Sequence, residues 1–306
     1  MQLFEDDETL VTIYQRAISL CISKDFADKS SGKVVVATQQ DSEQTNRRRE
    51  LLAVEKQANK DKIIEEHGQN HFKTQVMSDL YAEVNRKITQ EFDNKENLYN
   101  NVLTIEDAAP AILEILSVKA ASINRITPLV ESLTWLANEL INLVNKPQYR
   151  KRADVQVTQA NLALSYIGLD NLRLLMPTFI LKHWLPVSTS PFGLMKRKLW
   201  NNSLSIALAS KVLAEEQGLD SFTAYTCGML SNIGNLAVTH CVFNSYNNVY
   251  KTKLREAYNS RDKKLHNIYS ELDMSPELLL EQLFGNSSKI TADLVELMHL
   301  DRLVIT

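Results

Sequence analysis

The chain has 306 residues, 44% of them hydrophobic and 23% charged, with a formal net charge of −3. That length holds one large or two small domains, and the charge excludes a globally basic protein that binds nucleic acid non-specifically. Eight glycines and seven prolines are fewer than half the usual share of about 12%, which argues against a many-stranded sandwich or barrel; neither GxGxxG nor GxxxxGKS/T occurs to form a glycine-rich phosphate loop.

From the N-terminus, Met1 to Glu8 is acidic and lacks the positive start of a signal peptide. The spacing predicts a first helix over 8–23, with Leu10, Ile13, Tyr14, Ala17 and Leu20 on one face. A polar turn follows at Lys29–Gly32. Val34–Val36 is β-branched, but a single strand has no partner, so it reads as a loop. From Ser42 to Leu103 the chain is polar, with apolar residues at helical spacing: Leu51/Leu52, Ile63/Ile64, then Phe72, Val76, Leu80, Val84, Ile88 and Phe92. Two long amphipathic helices broken near Gly68 are expected, packed as a hairpin on another body. Coiled-coil dimerisation is the alternative, although a spacing of four drifts away from a heptad. The Phe72–Val84 stripe is either core contact or a surface for another protein or a second copy.

The composition changes near Thr104, where a threonine N-cap and the acids Glu106 and Asp107 suggest a helix start. Beyond it, helices are predicted at 106–120, 126–145, 157–167, 170–184, 193–217, 221–246, 250–258, 262–272, 276–284 and 287–302. Gly168 reads as a helix-ending glycine, Asp170 and Ser221 as N-caps, and Ser275-Pro276-Glu277 as a cap, a first-position proline and a first-turn acid. The expectation is an all-α fold: an N-terminal helical extension over 1–104 and a helical domain over 105–306. Cys21, Cys227 and Cys241 form no CxxC pair and read as free thiols of a reducing compartment. No apolar run reaches the roughly 18 residues of a membrane span. Together these imply a cytoplasmic protein.

Two segments carry a family resemblance. One is Trp200-Asn-Asn-Ser203 followed by Ala207-Leu-Ala209; the other runs from Ala224 to Leu236 through Gly228-Met-Leu-Ser-Asn-Ile-Gly234. Upstream, Leu143-Val-Asn-Lys-Pro-Gln-Tyr149 and Val155 to Leu169 add two further cues in order. Together they resemble the HDOD domain, a relative of the HD-type metal-dependent phosphohydrolases. The resemblance covers 105–306 and implies a helical domain. In an active HD site, histidines and an aspartate bind divalent metal, which acidifies a water for attack on phosphorus. Here Asn202 stands where the first histidine would be, and Ser231 and Asn232 replace the paired histidine and aspartate. Those neutral side chains are weak ligands for a transition metal. No catalytic residue, metal ligand or cofactor is therefore assigned.

The resemblance together with the missing ligands implies a non-catalytic bacterial signal-transduction module acting through protein–protein contacts. The alternatives are a metal-dependent phosphohydrolase of a nucleotide or cyclic dinucleotide with a displaced site, and a nucleotide sensor that binds without turnover. The partner is an unidentified signalling protein; a homodimer and a nucleotide stay open, and no membrane or specific nucleic acid is expected. Of the scattered histidines, His240 is either a surviving ligand or a helix histidine with a satisfied hydrogen bond, and the pair His67 and His71 reads as solvated helix face. Cys227 reads as a buried structural thiol. Residues 145–200 hold nine basic and two acidic residues while every other stretch is net negative. Arg150, Lys151 and Arg152 with Lys196, Arg197 and Lys198 are the candidate surface for an acidic partner or an anion.

Overall fold

The computed structural model describes residues 8–30, 53–149 and 156–304. Val34–Val36, Leu51/Leu52 and Arg150–Arg152 lie outside the described residues, as do the side chains of Ile63, Ile64 and His67. The fold is all-α, and no strand occurs among the described residues. No helix among them is long and apolar enough to cross a membrane.

α1 (Glu8–Ile22) and α2 (Lys24–Ser30) form a short hairpin. Arg16 closes it, donating to the Ala27 carbonyl and to Asp28 Oδ1, the latter at 2.6 Å. The predicted apolar face of α1 points the wrong way. Ile18, Cys21 and Ile22 are buried, while Leu10 and Leu20 face out and Ile13 is 59% exposed; of the predicted face, Tyr14 rests its ring against Phe284, centroids 5.8 Å apart. The fully buried apolar residues of α1 lie in its last turns, so its inward face is set more by where the helix ends than by its apolar stripe.

α3 (Ala53–Phe92) is one continuous helix. Gly68 does not break it, since a lone helical glycine costs only about 1 kcal/mol. Val76, Leu80, Val84, Ile88 and Phe92 are all buried, so the stripe is core contact from Val76 onward, while Phe72 stays partly open. A single turn, α4 (Lys95–Asn97), capped by Asn94 Oδ1 accepting from Asn97 N–H at 2.9 Å, runs into a π-helical turn at Leu98–Val102. Thr104 does not cap the next helix: it sits at φ 50 and donates to the Leu103 carbonyl.

Four helices follow: α5 (Ala108–Leu116), α6 (Ile123–Ser132), α7 (Thr134–Asn145) and α8 (Ala160–Ile167). The predicted helix over 126–145 is divided at Leu133, whose φ −97 and ψ 83 leave the helical region. Gly168, at φ 79, ends α8 and opens α9 (Leu169–His183), so Asp170 falls in the first turn rather than at the cap. Then come α10 (Met195–Gln217), α11 (Ser221–Leu230), α12 (Ile233–Asn259), α13 (Lys263–Ser270), α14 (Pro276–Leu297) and α15 (Asp301–Val304). Asp220, not Ser221, caps α11, accepting from Thr223 N–H at 2.8 Å. Gly285 leaves α14 unbroken.

One hydrophobic core runs through both parts of the chain, from Leu80 and Val84 on α3 to Leu236 and Val242 on α12 and Leu283 on α14. Tyr81 ties the parts by polar contacts: its hydroxyl donates to the Asp273 carbonyl at 3.3 Å and accepts from Ser275 N–H at 3.1 Å. Ser275 Oγ in turn accepts from Glu277 N–H at 3.1 Å and Leu278 N–H at 3.4 Å, as the sequence signature requires. Ser275→Ala is expected to cost about 1 kcal/mol and Ser275→Asp to keep most of it. Thermal melts of the two variants check this, with a drop of about 2 °C for alanine.

Candidate functional site

The two family-like segments meet in an antiparallel hairpin of α10 and α11. Gly218 turns the chain at φ 68, the left-handed conformation that glycine adopts freely. Gly228 then lets the helices touch: a Cβ there would stand 2.6 Å from Ala207 Cα. The register that sets Gly228 against Ala207 also brings Ser203, four residues earlier, level with the Ser231–Asn232 turn, four residues later.

That turn interrupts the helix predicted over 221–246. Ser231 Oγ donates to the Gly228 carbonyl at 2.8 Å, and Asn232 Oδ1 accepts from Asn235 Nδ2 at 2.9 Å. The Ser231 hydroxyl and the Asn232 amide oxygen are thus both engaged at the turn. α14 clamps it from outside, where Gly234 N–H donates to Thr291 Oγ1 at 3.0 Å. Asn202 is half-buried. Ser203 Oγ, Asn232 Nδ2, Asn235 Oδ1 and Ser287 Oγ are buried without a partner. All of these atoms are neutral, and among the described residues no three His, Cys, Asp or Glu side chains gather as a metal site needs.

His240 lies two turns into α12, where its Nε2 meets the Trp184 carbonyl at 3.2 Å. Burial pushes its pKa below the ordinary value, and Lys196 lowers it further against the opposing pull of the Trp184 bond. A neutral imidazole hydrogen-bonded to a backbone carbonyl is the satisfied helix histidine of the sequence reading. Cys227 is exposed rather than buried. Its thiol donates to the Leu303 carbonyl at 3.6 Å, and partial burial holds its pKa up, the opposite of an activated nucleophile.

The structure splits the second basic cluster. Lys196 and Arg197 line an open groove of about 680 Å³ between α9 and α10, with Phe179, Lys182, Leu185 and Trp200. Lys198 turns away and donates to the Leu20 carbonyl of α1. Arg150, Lys151 and Arg152 lie outside the described residues, so no single patch is drawn from both clusters. Lys182 was missed in the sequence. It is separated from Lys196 by the whole α9–α10 connection, and only its place in the last turn of a helix marked it.

A family model for the HDOD domain matches residues 102–273. The chain belongs to the HDOD family. No curated protein and no solved structure matches it. The HDOD match takes in α5 to α13 and both motif segments, and it leaves α1–α4, α14 and α15 outside. Within this HDOD chain the groove of Lys182, Lys196 and Arg197 therefore opens beside the motif helix α10, on residues that the family match includes.

Proposed function

We propose that this HDOD chain is a non-catalytic regulatory module of bacterial signal transduction, and that the α9–α10 groove receives an acidic partner protein. One observation carries the reading: Lys182, Lys196 and Arg197 surround an apolar groove, and none of the three pairs with a carboxylate among the described residues. Cations on both walls of an apolar channel complement a segment that is apolar on one side and acidic on the other. The motif turn supports the non-catalytic part, because Ser231 and Asn232 offer neutral oxygens that are already engaged. Trp200 and Phe179 favour a second reading, a nucleotide held without turnover, with the base against the rings and the phosphate on the cations.

Affinity capture from the native cell tests the first reading. A Lys182→Gln/Lys196→Gln variant with unchanged helicity is expected to lose the partner that the unaltered chain retains. Raising salt is expected to slow association, because exposed charges are screened over about 8–10 Å. Equal capture by both chains at every salt concentration removes the groove from the reading. A melting shift on adding nucleotide moves the choice to the second reading. Near-stoichiometric iron, manganese or nickel by elemental analysis, together with phosphodiester hydrolysis, overturns the non-catalytic assignment.

A further inference from the structure

α10 is apolar on both sides. Its inner face buries Met195, Leu199, Ala207 and Ala214. Its outer face carries Leu208 at 49%, Val212 at 52% and Leu213 at 60% exposed, and Leu219, just past the helix end, is 66% exposed. A helix lying on the surface of a monomer keeps its outer face polar. Large apolar side chains clustered over about one and a half turns of exposed helix, with another just past its end, mark a contact surface.

We infer that a second copy of the chain covers this face, with α10 packed on α10 in antiparallel sense about a two-fold axis near residue 206. Charge is the first support. The N-terminal end of the face bears Arg197, which has no carboxylate partner among the described residues; the C-terminal end bears Glu215 and Glu216. Among the described residues Glu215 is held only by a partly exposed contact to Lys211 at 3.6 Å, a weak tie. An antiparallel copy sets Arg197 across from the partner's Glu215, and the two-fold axis repeats the pair. The same register puts Leu204 across from the partner's Leu208.

Shape is the second support. α1 lies along one flank of the N-terminal half of α10, where Lys198 donates to the Leu20 carbonyl. Three turns further along that flank the helix is bare at Ala209 and, a turn beyond, at Leu213. A two-fold axis running across the antiparallel pair keeps the flank and exchanges the ends. It therefore lays the partner's α1 beside the bare stretch, and the outward residues of α1, Leu10 and Ile13, are apolar and exposed. The ridge on one copy fills the step on the other.

Sedimentation velocity on the full chain over a concentration series tests this. The expected result is a species of twice the 34.8 kDa chain mass. Leu208→Glu/Val212→Glu is expected to sediment as one chain with unchanged helicity, since neither side chain reaches the core. Arg197→Glu alone and Glu215→Arg alone are each expected to weaken association about tenfold, because each reversal acts at both ends of the two-fold contact. The double reversal is expected to restore it. A chain that stays single at every concentration, a dimer indifferent to Leu208→Glu/Val212→Glu, or a double reversal as weak as either single one overturns the inference. Arg197 also lines the groove, so Leu208→Glu/Val212→Glu, which touches no groove residue, is the variant that separates failure of self-association from failure of the groove reading.

Discussion

Gly234→Ala is expected to destabilise the protein by about 1–3 kcal/mol, or by more if the helices cannot shift. In an ordinary helix the same change has the opposite sign, because glycine loses the most backbone freedom on folding. Here a Cβ would lie 2.0 Å from the Ser287 carbonyl oxygen and 2.5 Å from Thr291 Oγ1. The first of these is backbone of α14 and has no rotamer to escape into. Relief requires α14 to move off α12, which breaks the Gly234–Thr291 hydrogen bond and opens the face that buries Leu279, Leu283 and Ile290. Gly285→Ala on α14 is the matched control. Nothing stands within 4 Å of its added Cβ, and a gain of about 0.4–1 kcal/mol is expected. Urea unfolding of the two variants checks the pair of signs. A neutral Gly234→Ala would show that the α12–α14 contact tolerates a displacement this packing does not allow.

The glycines also explain what was legible in the sequence. Gly228 and Gly234 stood out as motif residues, and their use is steric: each is a point where one helix backbone rests on another. The cap at Ser275 was legible because it is local, spelled by three consecutive residues. Gly285 carried the same letter without the same use, and a glycine by itself does not say whether a neighbour presses on it. The Ser231–Asn232 break was hidden for the converse reason. Its surroundings are apolar and helix-forming, and the turn is enforced by α14 through Thr291, a residue that lies about 60 positions away.

Site residues divided along the same line. Asn202, Ser231 and Asn232 were named from sequence; the hairpin register brings Ser203, the residue after Asn202, level with the Ser231–Asn232 turn, and Asn202 itself is half-buried on α10. The basic run Lys196–Lys198 was legible as charge but not as geometry. Successive helical residues point about 100° apart, so one run serves two surfaces: Lys196 and Arg197 toward the groove, Lys198 toward α1. Lys182 joins them only in three dimensions. The inward face of α1 misled because Leu10, Ile13, Tyr14 and Leu20 form a regular stripe, and a stripe reveals amphipathicity but not which neighbour is present to cover it.

Removing residues 1–94 is expected to leave a chain that aggregates or melts well below the full-length protein. α3 lays Val76, Leu80, Val84, Ile88 and Phe92 into the shared core, and each large apolar side chain returned to water forgoes about 1.5–3 kcal/mol. The ion pairs across the same boundary, Lys253 with Glu83 at 2.9 Å and Lys73 with Glu271 at 3.2 Å, are partly or largely exposed and contribute little beside that sum. Apolar burial therefore decides the docking, and added salt is expected to leave it intact. Leu80→Ala separates the effect of packing from that of losing the segment. Leu80 is 1% exposed, so its truncation is expected to cost about 2–5 kcal/mol with the helix still present. Glu83→Gln, which removes the charge that pairs with Lys253, is expected to change stability by less than about 1 kcal/mol. Thermal melts of the three variants at low and high salt order these terms. A 95–306 chain that remains soluble, monomeric and as stable as the whole, with Leu80→Ala neutral, would show instead that α3 rests on the HDOD body without holding it together.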